Sequence, residues 1–166
     1  ASVYVEIGRG EVRVRCAETR GTETTTVTVE GRDADRVDVH DRDGQVSVVA
    51  PRGGLLSAFD SRLDVTVTAP PRSNVATKLG SAGVSVTGPA GGVRLRTGSG
   101  EVSVESLDAA SSIDTGSGDV RVDRAGAALK VRTGSGDVTL REVLDELSVS
   151  SGSGDVHVAA ADGAVL

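Results

Sequence analysis

Apolar and polar residues alternate along most of this chain, and from Val93 onwards the alternation repeats every 18 residues. Each unit holds two short alternating runs, one on either side of a glycine-rich phrase. Successive side chains of a strand point to opposite faces, so each run predicts a strand with one apolar face. The apolar columns are Val93/Ser111/Leu129/Leu147, Leu95/Ile113/Val131/Val149, Val102/Val120/Val138/Val156 and Val104/Val122/Leu140/Val158.

The phrase between the two runs is Gly-Ser-Gly-Asp-Val, and it recurs without insertion. Its copies occupy 98–102 (with Glu in place of Asp), 116–120, 134–138 and 152–156, with a degraded copy at 80–84. A fixed period of this length is typical of stacked repeats. One unit cannot bury its apolar face alone, whereas units stacked about 4.8 Å apart can. The sequence therefore predicts an all-β protein, a parallel β-helix-like β-solenoid with 18-residue coils.

The first 72 residues carry the same alternation with other spacings. Two stretches match the unit, with the second displaced by 34 residues so that Val46 corresponds to Val12: they are Val3, Val5, Gly8, Gly10, Glu11, Val12, Val14 and then Val37, Val39, Gly44, Val46, Val48. A bare terminal coil would expose a strand edge. We therefore expect a single domain in which irregular strands within 1–72 cap the regular coils of 73–166.

Composition restricts both the core and the function. Tyr4 and Phe59 are the only aromatic residues and there is no Met or Trp, so Val, Ala and Leu must fill a thin core. The net charge is −6 with both signs interspersed, and no basic stripe with stacking aromatics indicates a nucleic-acid partner. No apolar run reaches the roughly 20 residues of a transmembrane helix. Cys16 is the single cysteine, which excludes an intrachain disulfide.

An acidic ladder, defined as Glu101, Asp119, Asp137 and Asp155, follows the glycines of the four regular copies. Carboxylates stacked about 5 Å apart repel one another unless amides or a cation compensate. Calcium prefers such oxygen ligands, and the Gly/Asp-rich calcium β-rolls also use 18-residue coils, although with a different nonapeptide twice per coil. Aspartate is equally a turn residue that bonds nearby backbone. A calcium site and a purely structural turn are both open.

Another outward column, Arg96, Asp114 and Arg132, alternates in charge along the predicted stack. Exposed ion pairs contribute only about 0.2–1 kcal/mol each. We therefore expect these charges to favour the correct register of nearly identical coils.

Two apolar segments are candidate contact surfaces. Leu55, Leu56 and Phe59 form a dense cluster outside the columns, which either plugs the core or contacts a partner or a membrane. At the other end Val165, within Ala164-Val165-Leu166, falls in register to begin a further strand. Copies of the chain are therefore expected to be able to stack through the C-terminal coil edge as a homo-oligomer.

Catalysis finds little support in the sequence. Each Gly-Ser-Gly leads into a strand, whereas a phosphate-binding loop needs a following helix. His40 and His157 are far apart, and no nucleophile is recognisably paired with a base. We expect a protein that is not an enzyme.

The run Leu63-Asp64-Val65-Thr66-Val67-Thr68-Ala69-Pro70, followed by Thr-Gly-Ser-Gly-Asp-Val repeats, resembles the bacterial putative-adhesin β-strand-repeat family. The opening Val5-Glu6-Ile7-Gly8-Arg9-Gly10-Glu11-Val12 is similar to that of actinobacterial members. The resemblance covers nearly the whole chain and implies a β-solenoid in the bacterial cytoplasm or cell envelope, with no catalytic residues to transfer. It implies a non-enzymatic adhesin-like scaffold or interaction module for a protein or cell-surface macromolecule. The alternatives are cation or small-ligand binding on the acidic ladder, and a self-assembling structural subunit.

Overall fold

The computed structural model describes residues 2–18, 25–32, 34–50 and 62–161. In these residues fourteen strands join one sheet system, with a short 3-10 helix at Ala34–Arg36. The strands are β1 Ser2–Cys16, β2 Thr26–Glu30, β3 Asp38–Arg42, β4 Gln45–Val49, β5 Leu63–Ala69, β6 Asn74–Ala90, β7 Val93–Ser99, β8 Val102–Leu107, β9 Ser111–Ser117, β10 Val120–Ala125, β11 Leu129–Ser135, β12 Val138–Val143, β13 Leu147–Ser153 and β14 Val156–Ala161. None of the described residues lies in a helix long and apolar enough to cross a membrane.

Each 18-residue unit forms one rung of a parallel β-solenoid. The first strands of successive rungs pair in the order β7-β9-β11-β13, and the second strands pair in the order β8-β10-β12-β14. Equivalent residues pair directly, as in Leu95 with Ile113 and Val122 with Leu140. We call these two stacks the first sheet and the second sheet. The predicted solenoid with 18-residue coils is confirmed.

The N-terminal strand β1 is an inner rung of the stack. β1 and β6 each run through both sheets, as strands of 15 and 17 residues, and pair in parallel with each other. On the other side of β1 lie β4 in the first sheet and β5 in the second. β3 and β2 then flank β4 and β5 as antiparallel edges. The N-terminal region therefore contributes rungs as well as the strands that cover one end of the stack.

The expected correspondence of Val46 with Val12 is wrong. Val46 pairs with Val3 in the first sheet, and Val12 pairs with Val65. The reason is a tight turn between β3 and β4 at Asp43 (φ 52°) and Gly44 (φ 79°). This glycine closes a hairpin, where positive φ is needed, so the strand after it starts a rung instead of finishing one.

The apolar columns meet in one core between the two sheets. Their members are buried in the inner rungs, and in the last described rung Val156 is 46% exposed. The polar member, Ser111, is buried as well: its Oγ accepts a hydrogen bond from Val93 N–H at 3.0 Å and donates to the Ala109 carbonyl at 2.8 Å. The hydroxyl is therefore satisfied at both its donor and its acceptor.

Both glycines of the phrase are required by the spacing between rungs. The second glycine has positive φ in all four regular copies, between 125° and 138°, which disfavours any residue with a Cβ. The first glycine has ordinary φ, but a Cβ on Gly116 would lie 2.6 Å from the Gly98 carbonyl oxygen. The phrase is thus a corner where backbones of adjacent rungs lie in direct contact.

Candidate functional site

The acidic ladder lies at the corner between the two sheets, with its four side chains exposed. Asp119 Oδ1 accepts a hydrogen bond from Asp137 N–H, and Asp137 Oδ1 accepts one from Asp155 N–H, both at 2.9 Å. These amide donors offset the repulsion between stacked carboxylates. Within the described residues no three His, Cys, Asp or Glu side chains come together as a metal-binding group. Calcium binding stays a prediction, and the geometry gives the same oxygens a structural use.

Several other candidate residues are not brought together. Leu55, Leu56 and Phe59 lie outside the described residues, as do Ala164, Val165 and Leu166. Stacking of copies through the C-terminal coil therefore stays a prediction.

The two histidines and the cysteine also lie apart from one another. His40 is in β3 and His157 in β14, at opposite ends of the stack. Cys16 is buried in the core, and this burial raises the pKa of its thiol, although a hydrogen bond with the Ser73 backbone acts in the other direction. A buried thiol that holds its proton is a poor nucleophile and metal ligand.

A cluster of positive charge covers the outer surface of the first sheet from β6 to β11. It occupies two adjacent outward columns, Ala76-Arg94-Ser112-Lys130 and Lys78-Arg96-Asp114-Arg132, which pair rung by rung. We call the surface of Lys78, Arg94, Arg96, Lys130 and Arg132 the basic face. All five side chains are exposed. On a chain with a net charge of −6, this is a marked local excess of cations.

The cations of the basic face are not neutralised by neighbouring acids. Among the described residues, no ion pair within 4.0 Å involves any of the five. Asp114 pairs in register with both Arg96 and Arg132 but forms no such contact. Around the second sheet, by contrast, Arg121 lies 3.6 Å from Asp123 and Arg124 lies 3.8 Å from Glu142. The basic face is therefore free to bind an external anion.

A groove of about 540 Å³ runs along the basic face, across β6, β7, β9, β11 and β13. Lys78, Arg96, Asp114, Arg132 and Ser150 line it, together with the glycine column Gly98-Gly116-Gly134. Those glycines occupy the next outward position along each strand. Since they have no side chain, the column leaves a backbone floor beside a row of charged side chains.

A second depression of about 530 Å³ lies at the start of the same sheet, and its lining includes Tyr4, Arg94 and Lys130. Tyr4 Oη donates a hydrogen bond to Glu6 Oε2 at 2.9 Å, which fixes the ring beside the basic face. The two depressions share one surface, so the basic face is the best-formed candidate site in the described part of the chain.

Sequence reasoning found only part of this site. Arg96, Asp114 and Arg132 were recognised as one column, but Lys78, Arg94 and Lys130 were not connected with it. The signal was present, because adding 18 to Lys78 gives Arg96 and adding 36 to Arg94 gives Lys130. Applying the period to outward positions as well as to inward ones would have shown the basic face.

The stacked rungs define a class, the parallel β-solenoid with an 18-residue repeat. Residues 1–164 match the family model described as Toastrack DUF4097, and the chain belongs to that family. No curated protein matches its sequence.

Solved structures with related architecture come from several bacteria. A putative adhesin from Bacteroides fragilis NCTC 9343 is 14% identical with a TM-score of 0.56, and the match covers 99% of this chain and 90% of that one. A putative cell adhesion protein from Clostridium sporogenes ATCC 15579 is 9% identical with a TM-score of 0.44, over 99% and 91% of the two chains. A putative lipid binding protein from Parabacteroides distasonis ATCC 8503 is 10% identical with a TM-score of 0.44, over the same shares. At these identities the first match supports the fold alone.

Proposed function

We propose that this protein is a non-enzymatic, adhesin-like interaction module that binds a cell-surface macromolecule through the basic face. The observation that carries the proposal is the set of five exposed cations without ion pairs along one groove. Exposed cations on most protein surfaces are interspersed with acids, which limits their attraction for a partner. Here that balance is kept around the second sheet and lost on the first.

The solenoid supports this role because it is a preformed surface. The strands under the basic face are hydrogen-bonded to a neighbour on each side, and their inward residues are buried in the common core. Binding to such a surface orders little of the protein, so less of the interaction free energy is lost to conformational entropy. A rigid face is suited to adhesion, where many weak contacts act together.

The groove lacks the groups that catalysis requires. Its described lining holds one carboxylate, Asp114, and neither His nor Cys. General acid–base or nucleophilic chemistry needs at least two positioned groups. The description of the Bacteroides fragilis structure as a putative adhesin agrees with a binding role, although 14% identity extends to the fold only.

Binding to intact cells and envelope fragments of the source organism tests the proposal. The fluorescently labelled chain is compared with the double variant Arg96→Gln/Arg132→Gln and with a matched control, Arg15→Gln/Arg141→Gln. The control removes the same charge from two exposed positions around the second sheet. We expect the groove variant to bind at least about tenfold more weakly and the control to bind like the wild type. Equal binding by all three proteins would contradict the proposal.

A further inference from the structure

We propose that the groove on the basic face binds a linear acidic polysaccharide, in which sugar carboxylates alternate with free hydroxyl groups. This inference rests on the proposed function and names the chemistry of its partner. It is drawn from the shape of the groove, from the order of charges along it and from the residues missing from its described lining.

The shape favours a chain over a small anion. The groove follows the stacking direction and crosses five strands. Lys78 and Arg132 are three rungs apart in the register, with Arg96 and Asp114 between them. At about 4.8 Å per rung these charges span roughly 14 Å. A single phosphate or carboxylate would contact one end of this row, whereas a polymer lying along the glycine column reaches all of it.

The order of charges favours a sugar polymer over a continuous polyanion. Arg96 and Arg132 present planar guanidinium groups that bind carboxylates through paired hydrogen bonds. Asp114 lies between them in register and lines the same groove. Its carboxylate is an acceptor, so it repels a phosphate chain but binds a hydroxyl group. A polymer that places hydroxyls between its anions satisfies both kinds of side chain.

The lining also argues against a nucleic acid or a bilayer. No aromatic side chain lies in the described lining of the groove, whereas single-stranded nucleic acids are held by stacking on aromatic rings. The large hydrophobic residues exposed in the described chain, Val39 and Val156, lie in β3 and β14, outside the basic face. A concave strip of charge beside bare backbone fits a chain better than it fits a planar membrane.

Binding of the whole chain to purified polygalacturonate tests the inference, with dextran as the neutral polysaccharide. Affinity is measured by calorimetry at low salt and at about 0.15 M salt. We expect saturable binding to polygalacturonate that weakens with salt, and none to dextran. Arg96→Gln/Arg132→Gln should lower the affinity at least about tenfold, while Arg15→Gln/Arg141→Gln leaves it unchanged. No binding, or an equal loss in both variants, would overturn the inference.

Asp114→Ala separates recognition from general electrostatic attraction. Removing this carboxylate makes the groove more positive, so a surface that only attracts anions would bind every polyanion more tightly. We expect the variant to bind polygalacturonate several-fold more weakly, because a hydroxyl contact is lost, and to bind inorganic polyphosphate more tightly. Tighter binding of both polymers would contradict the inference. Its thermal midpoint and circular dichroism spectrum are checked against the wild type.

Competing partners are included in the same series. Stronger binding to oligo(dT) or to phosphatidylglycerol vesicles than to polygalacturonate would overturn the polysaccharide assignment. If the Arg96→Gln/Arg132→Gln variant loses cell binding while polygalacturonate fails to bind, the proposed function stands and the polymer class is wrong. If cell binding is unaffected by that variant, the proposed function itself fails.

Discussion

The backbone N–H of Asp137 donates to the side-chain Oδ1 of Asp119, one rung earlier, at 2.9 Å. The Asp137 carbonyl accepts from Val120 N–H of that same earlier rung, also at 2.9 Å. Both main-chain groups of Asp137 are therefore bound to the preceding coil. The acidic ladder is thus part of the hydrogen bonding of the corner, where the regular strand ladder is interrupted.

Asp119→Ala should destabilise the protein, because it leaves Asp137 N–H without its side-chain acceptor. The expected loss is about 0.5–1.5 kcal/mol in the free energy of unfolding. Asp119→Asn keeps an oxygen in the same place, so it should retain most of the stability. Urea unfolding of the three proteins measures both effects. Equal loss in Ala and Asn variants would show that the charge, and not the hydrogen bond, matters.

Calcium titration decides between the two roles open to the acidic ladder. Since amide donors already occupy oxygens of Asp119 and Asp137, we expect the thermal midpoint to stay the same with calcium or with a chelator. Magnesium at equal ionic strength controls for screening. A midpoint that rises with calcium alone would show that the ladder binds this ion in addition to its role in the corner.

Gly116→Ala should be more damaging than its exposed position in the groove suggests. The new Cβ would lie 2.6 Å from the Gly98 carbonyl oxygen, and a backbone atom within a stacked rung cannot move aside alone. We expect a loss of about 1–3 kcal/mol. Ser117→Ala, at the next and exposed position, is the matched control and should be nearly neutral. Chemical denaturation of the two variants side by side tests this, and similar stabilities would refute the close-packed corner.

Ser111→Val tests whether the polar break in the apolar column has a purpose. Valine resembles the residues above and below it, but it cannot accept the hydrogen bond from Val93 N–H. Leaving this buried donor without a partner should cost about 1–3 kcal/mol, partly offset by the added apolar contact. Ser112→Val, on the outward side, is the control. A more stable Ser111→Val protein would mean that the hydroxyl is dispensable.

The regular rungs could be predicted because their period is written in every inward position. Ile113 and Val131, for example, occupy equivalent places 18 residues apart and are paired neighbours in the first sheet. The N-terminal rungs could not be placed in this way. β1 lies between β6 and the β4/β5 pair, so its neighbours come from distant segments. Val46 was assigned to the wrong half of a rung because alternation repeats every two residues and does not identify the sheet.

The basic face was harder to predict than the core. Its cations come from strands 16 to 18 residues apart, and the charge of the whole chain hides them. The acidic ladder was easier to see because it adjoins the repeated glycines. Its hydrogen bonds to the next rung depend on distances that a sequence does not contain. The residues most visible in the sequence therefore stabilise the corner, while the proposed binding surface is formed by less regular ones.

Amide chemical shifts of the isotopically labelled chain, followed during titration with polygalacturonate, test the location of the site most directly. The account predicts changes concentrated in β6, β7, β9 and β11, above all at Gly98, Gly116 and Gly134 on the floor of the groove. Amides of the second sheet and of Asp119, Asp137 and Asp155 should remain unchanged. Changes centred on the acidic ladder or on the second sheet would contradict a binding site on the basic face.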